Sequence, residues 1–238
     1  MSIIMANPSR EKTRYRVRGE LAICLIAVIN SFAVYLMLHS LGGMPSISSV
    51  PYIISEVYPV ASLGAWTYLF QTVLVAILIA MRLQKGEEGY VVYYLCSFLV
   101  GGLFSVMMDI HALWISRLPQ TFFLCIFYFG VSFLALAFGI ALSNYCKMPI
   151  IPTDLFPREL TLILGQPYKQ VKTRFDIGCL VFTLFWGLIA LHDLRGIGLG
   201  TVLCALTLGK IISAIGNWLD TRFVFDSILD PEHKKSAV

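Results

Sequence analysis

Asp154 and Lys210 are the ionisable residues whose positions are hardest to explain as ordinary surface. Lys210 falls about fourteen residues into an apolar run at 197–219. A lysine at that depth of a membrane helix costs a few kcal/mol unless it is paired or its stem carries the ammonium to an interface. Two readings stand side by side: a snorkelling or purely structural cation, or a partner for Asp154 or Asp176, both predicted near the same membrane face. Asp154 sits in Pro152-Thr153-Asp154-Leu155-Phe156-Pro157. There it is either an N-cap, like Thr153, or a proton or cation ligand at the tip of a broken helix, where freed carbonyls add coordination. Glu56 and Asp109 are weaker candidates for the same solute or ion site, while Arg158 and Glu159 read as interfacial anchors. His39, His111, His192, Asp109 and Asp193 all fall at predicted helix ends on one face. None has HxxxH or HExxH spacing, so no metal site is assigned and no cofactor is implied. No nucleophile–base pair and no GxSxG motif is present, and Gly198-Leu199-Gly200 lacks the strand and phosphate loop of a nucleotide fingerprint. The chain is read as no enzyme.

The elements that must position these groups are membrane helices. Of the 238 residues 58% are apolar and only 13% charged, about half the charge of a soluble domain. Apolar segments long enough to span, ~20 residues, occur at about 20–40, 62–83, 90–113, 120–144, 174–192 and 197–219. Arg10, Lys12, Arg14, Arg16 and Arg18 precede the first. Arg82 and Lys85 follow the second. Lys147, Arg158, Lys169, Lys172 and Arg174 follow the fourth, and Arg222, Lys234 and Lys235 follow the sixth. The alternate loops hold only Arg117 and Arg195. This asymmetry places both termini in the cytoplasm. The net charge of +4 then needs no nucleic-acid explanation, since its Lys and Arg lie between the apolar runs. The six cysteines (Cys24, Cys96, Cys125, Cys146, Cys179, Cys204) have no CxxC spacing and read as small packing residues. The first helix, with no A-x-A cleavage site, reads as a retained anchor.

Two connections, 40–61 and 145–173, are long, proline-studded and too apolar for solvated loops. They predict short helices that either dip into the membrane or lie along its interface. Met44-Pro45 and Met148-Pro149 open them at equivalent places. Leu99-Val100-Gly101-Gly102-Leu103-Phe104-Ser105 resembles Thr207-Leu208-Gly209-Lys210-Ile211-Ile212-Ser213, at offsets of 104 and 108 residues. Three spans per unit is an odd number, so the second unit must run through the bilayer in the opposite sense. The expected fold is all-α: a basic N-terminal segment 1–19, a three-helix repeat 20–118, its inverted copy 119–220, and a C-terminal tail 221–238. Gly101-Gly102, Gly209 and Ser213 give the third and sixth helices small-residue faces for close packing or a dimer interface.

The segment Met148 to Leu160, with Gly196-Ile197-Gly198-Leu199-Gly200-Thr201-Val202 leading to Gly209-Lys210-Ile211-Ile212, resembles the YczE/YyaS/YitT-like bacterial integral membrane proteins. The resemblance covers mainly residues 140–220, and the first half fits by length and hydropathy. It implies a polytopic protein of the bacterial cytoplasmic membrane and no particular activity. The residues themselves favour a small-solute or ion-coupled secondary transporter. The alternative is a non-transporting membrane partner that stabilises, positions or regulates another protein. Expected partners are the lipid bilayer, a small molecule or ion, and a second copy of the chain.

Overall fold

The computed structural model describes residues 15–86, 88–146, 148–193 and 196–226. Arg10, Lys12, Arg14, Lys147, Arg195, Lys234 and Lys235 lie outside the described residues, with most of segment 1–19 and of tail 221–238. Among the described residues eight α-helices follow in order: α1 Gly19–His39, α2 Ser46–Val57, α3 Leu63–Gln84, α4 Val91–Ile115, α5 Phe122–Tyr145, α6 Pro152–Leu164, α7 Tyr168–Trp186 and α8 Leu199–Arg222. All but α2 and α6 are long and apolar enough to cross a membrane, which makes six candidate spans among the described residues. The expected short helices of the two long connections are α2 and α6.

Helix α7 starts at Tyr168, earlier than the apolar run at 174, because Lys172 and Asp176 pair across one turn and carry the helix outward from the apolar stretch. It closes in a π-turn, Gly187–Leu191, before His192 takes a left-handed backbone. The sequence did not announce a short parallel ladder between β1 Tyr15–Arg18 and β2 Phe223–Asp226. It joins the residues just before α1 to those just after α8, so both ends of the bundle's chain meet at one end of the molecule.

Helix α1 is the axle. It packs on α5 and α4, and 56% of its span is buried against 17% for the α7 span. Its interior includes Ile26, Ala27, Ala33 and Met37. The perimeter is apolar too: Leu99, Phe123, Leu199 and Leu206 are at least 70% exposed. Apolar surface on that scale belongs in lipid.

Where α1 ends, the chain runs alongside the loop before α8. Met44 N–H donates to the Gly196 carbonyl (3.1 Å) and Gly200 N–H to the Gly42 carbonyl (2.7 Å). Gly43, with φ +99°, sits where a Cβ would lie 2.6 Å from the Gly198 nitrogen. Both the handedness and the close approach demand glycine there.

Candidate functional site

The chain after α5 enters the bundle extended. Tyr93 donates to the Met148 carbonyl (3.4 Å) and Ser97 to the Ile150 carbonyl, and Pro152 rests on Gly101. Tyr93, Ser97 and Gly101 are spaced four apart on one stripe of α4, about 6 Å per step. Residues two apart in an extended strand advance by nearly the same distance, which is why the two segments stay in step. A Cβ on Gly101 would lie 3.0 Å from the Pro152 ring, so glycine lets the chain lie against the helix. Helix α6 then turns back, and Lys85 at the end of α3 donates to the Ile163 carbonyl (2.5 Å) in its last turn. Gly101 lies ten residues along α4, ~15 Å, half the ~30 Å of a hydrocarbon core.

A buried ionic cluster holds α6 in place. Glu159 Oε2 accepts from Arg82 Nη2 (2.8 Å) and from the Tyr94 hydroxyl (2.7 Å), and Arg82 Nε donates to the same hydroxyl (2.9 Å). The guanidinium also covers the Tyr90 ring, with Cζ 4.0 Å from its centroid. Glu159 is 4% exposed and Arg82 5%. The expectation of Glu159 as an interfacial anchor is therefore corrected, whereas Arg158 is exposed. One signal was available: Glu159 lies midway between Leu155 and Ile163 at four-residue steps, on the apolar face of α6.

Deeper in, the N-termini of α2 and α6 open on one small cavity with room for about one water-sized species. Ser48 and Thr153 come from the two short helices and Thr67 from α3, with Val34, Phe104 and Met108 as apolar wall. One turn inward from Thr67 lies Gln71, fully buried. Neither its amide nitrogen nor its oxygen has a hydrogen-bond partner among the described residues. A Cβ on Gly101 would sit 2.2 Å from Gln71 Oε1 and 3.0 Å from Pro152 Cδ, so the carboxamide and the first residue of α6 meet on one glycine. Buried Asn30 on α1 likewise presses its Oδ1 against Gly139 of α5. Neither amide was singled out from sequence.

The sequence-predicted residues are dispersed. Asp154 lies in the first turn of α6, but the N-cap is Ile151 with Pro152 at the first helical position, and no side chain caps the helix. Capping by Thr153 or Asp154 is thus not what the fold uses. Burial pushes the Asp154 carboxyl up to about 6, with the charge of Lys172 pulling it down and that of Asp176 pushing it further up. Asp176 is held by Lys172 (2.9 and 3.0 Å). Lys210 is exposed on α8 and is not brought to either carboxylate, because α7 and α8 do not form a packed pair. Asp109 serves α3: Oδ2 accepts from the Ser62 hydroxyl (2.6 Å) and Oδ1 from the Gly64 N–H (2.9 Å). Glu56 lies half-buried at the far end of α2, away from the α6 residues. His39 bonds the Leu118 carbonyl (3.1 Å), and His111 packs on Phe32 and Trp114.

This arrangement defines a multi-pass helical membrane protein, six apolar spans with two short helices packed among them. The chain belongs to DUF6198, a family of unknown function, whose model matches residues 17–217. That match supports a family of unknown function and not the YczE/YyaS/YitT-like group in particular. No curated protein and no solved structure matches the chain.

Proposed function

We propose that this protein is a small-solute or ion-coupled secondary transporter of the bacterial cytoplasmic membrane, with both termini cytoplasmic, built from two inverted three-helix repeats at 20–118 and 119–220. The packing supports the repeat. Helix α1 packs on α4 as α5 packs on α8, and α2 packs on α3 as α6 packs on α7. The short helices are exchanged between the halves, α2 lying on α7 and α6 on α3. Each carries a proline at its sixth position, Pro51 and Pro157. In this reading α2 and α6 are re-entrant, entering from opposite faces. Irregular backbone at membrane depth survives only where protein or a cavity covers it, and paired half-helices of this kind hold substrate in inverted-repeat transporters.

The observation that carries the reading is the descent of the chain along Tyr93, Ser97 and Gly101 to a helix start beside buried, unpartnered Gln71. A purely structural bundle gains nothing from burying an amide in that state. Uptake assays on purified protein in proteoliposomes, across inorganic ions, amino acids, sugars and nucleosides, test it. Saturable uptake by wild type that is lost in Gln71→Leu supports transport, and no uptake across the set by well-folded protein refutes it for those classes.

The non-transporting partner role keeps one observation of its own. Helices α3 and α4 pack together, but their counterparts α7 and α8 do not, leaving exposed faces that include Lys210. A second protein or a second copy of the chain would cover them.

A further inference from the structure

We propose that the aromatic pocket where α2 ends, α3 begins and α7 closes binds a quaternary ammonium group of the trimethylammonium kind. It shares no lining residue with the small cavity near Gln71, and the inference stands whether or not the protein transports a solute.

Six side chains line a pocket of about 240 Å³. Ile54, Val57 and Tyr58 come from the last turn of α2 and the residue after it, and Trp66 from the head of α3. Phe182 and Trp186 stand four residues apart on one stripe of α7. The volume falls just under the roughly 300–1,000 Å³ of sites for drug-sized ligands, which suits a small organic group.

Four of the six are aromatic, and they do not stack on one another. Between ring centroids Tyr58 is 6.4 Å from Trp66 and 6.3 Å from Trp186, with the planes inclined by 44° and 65°. Phe182 is 6.3 Å from Trp186, inclined by 49°. Rings stacked face to face hide their π faces in each other, whereas inclined rings at this spacing leave them open to the space they enclose. The Trp66 indole N–H donates to the Tyr58 carbonyl (3.0 Å). That bond ties the head of α3 to the end of α2 and leaves the indole to act through its ring.

The sign of the ligand follows from the surroundings. The electron-rich faces of Trp, Tyr and Phe attract cations. Helix α2 stops at Val57 with Glu56 and no basic residue in its last turn, so the negative end of its dipole stands at the pocket. The Asp109 carboxylate is bonded to Ser62 and Gly64, within a turn of Trp66. Among the described residues no lysine, arginine or histidine lines the space. A primary ammonium fits less well, because its three N–H donors would exchange water for a wall of rings and alkyl groups with few acceptors. A quaternary ammonium has no N–H to strand. Its methyl groups meet the apolar wall and its charge meets the ring faces. A lipid acyl chain would use neither the rings nor the negative surround, and the pocket lies near helix ends, at headgroup depth.

The test uses purified full-length protein in phosphatidylglycerol nanodiscs, with Trp114→Phe and Trp218→Phe in the background so that the remaining tryptophans, Trp66 and Trp186, both line the pocket. Tetramethylammonium and choline are titrated at constant ionic strength and read by tryptophan fluorescence, with the unfolding midpoint of the unsubstituted protein as a second readout. Neohexyl alcohol, the uncharged counterpart of choline with carbon in place of nitrogen, is the control. The expected result is a saturable response to both cations and none to the alcohol at equal concentration. Half-saturation should rise at least tenfold in Trp186→Leu and in Tyr58→Leu, and less in Tyr58→Phe, which keeps the ring. If Trp186→Leu does not fold, Tyr58→Leu decides, since Tyr58 is exposed. Nanodiscs containing phosphatidylcholine separate the two sources of the group. A raised half-saturation for choline there keeps the site and makes a lipid headgroup its occupant, and an unchanged one keeps it for a free solute. An equal response to the alcohol overturns the ammonium assignment. A response unchanged in both leucine variants, or no saturable response at all, overturns the site.

Discussion

Removing the Glu159 carboxylate should be among the most damaging single changes this fold can suffer. Its Oε2 holds Arg82 at 2.8 Å and Tyr94 at 2.7 Å, with both ionised residues almost wholly out of solvent. In Glu159→Ala the guanidinium stays buried between α3, α4 and α6 without the carboxylate that accepts from it at 2.8 Å. Two hydrogen bonds to a charged group are worth about 1.5–3 kcal/mol each, and breaking one side of a buried ion pair costs about 3–5 kcal/mol. The two routes to the number agree. Against a total stability of roughly 5–15 kcal/mol, the midpoint should fall by about 6–20 °C at 2–4 °C per kcal/mol. The paired variant Arg82→Met/Glu159→Met should recover most of that loss, because replacing both charges by apolar groups of similar volume is often neutral. Thermal unfolding of purified protein in nanodiscs, followed by tryptophan fluorescence, reads both. The reasoning fails if Glu159→Ala unfolds within ~1 kcal/mol of wild type, or if the double variant is no more stable than the single one.

Other consequences can be measured in the same system. The Asp154 carboxyl is pushed up to about 6 in the folded protein, above ~3.9 for an unfolded aspartate, so the folded state binds its proton more tightly. Stability should therefore fall as pH rises from about 4 to 6 and then level, by at most about 3 kcal/mol; Asp154→Asn should lack that slope, and an identical pH profile in the two proteins would sink the assignment. Asp109→Ala deprives the Ser62 hydroxyl and the Gly64 N–H of their acceptor, and should cost ~1–2 kcal/mol in unfolding free energy, with Asp109→Asn nearer to wild type. Lys210→Met should not lower stability or shift the titration of Asp154, since the lysine is exposed and Asp176 is already paired; a change in either would restore the Lys210 pairing. Cysteines placed singly at Val17 and Phe225, opposite one another in the parallel ladder, should react with an impermeant reagent from the same face, the cytoplasmic one. Labelling from opposite faces would refute the topology.

The spans were legible in the residues because a helix that must satisfy its backbone in lipid needs a run of about 20 apolar side chains, and nothing distant can alter that requirement. The proline-studded stretches likewise announced α2 and α6, since Pro45, Pro51, Pro152 and Pro157 punctuate segments too apolar for water and too short to span. What periodicity could not supply was the direction each helix faces. In a soluble protein the outward face is polar, but in lipid both faces are apolar, so little distinguishes the stripe of α1 that packs on α5 from the stripe of α8 that meets the bilayer. Lys210 therefore stood out as a buried charge although it faces outward. Gln71, Arg82 and Glu159 passed as ordinary although all three are buried. Only the tertiary packing decided which way the side chains point, because it lays 148–152 along Tyr93, Ser97 and Gly101 of a helix fifty residues earlier in the chain.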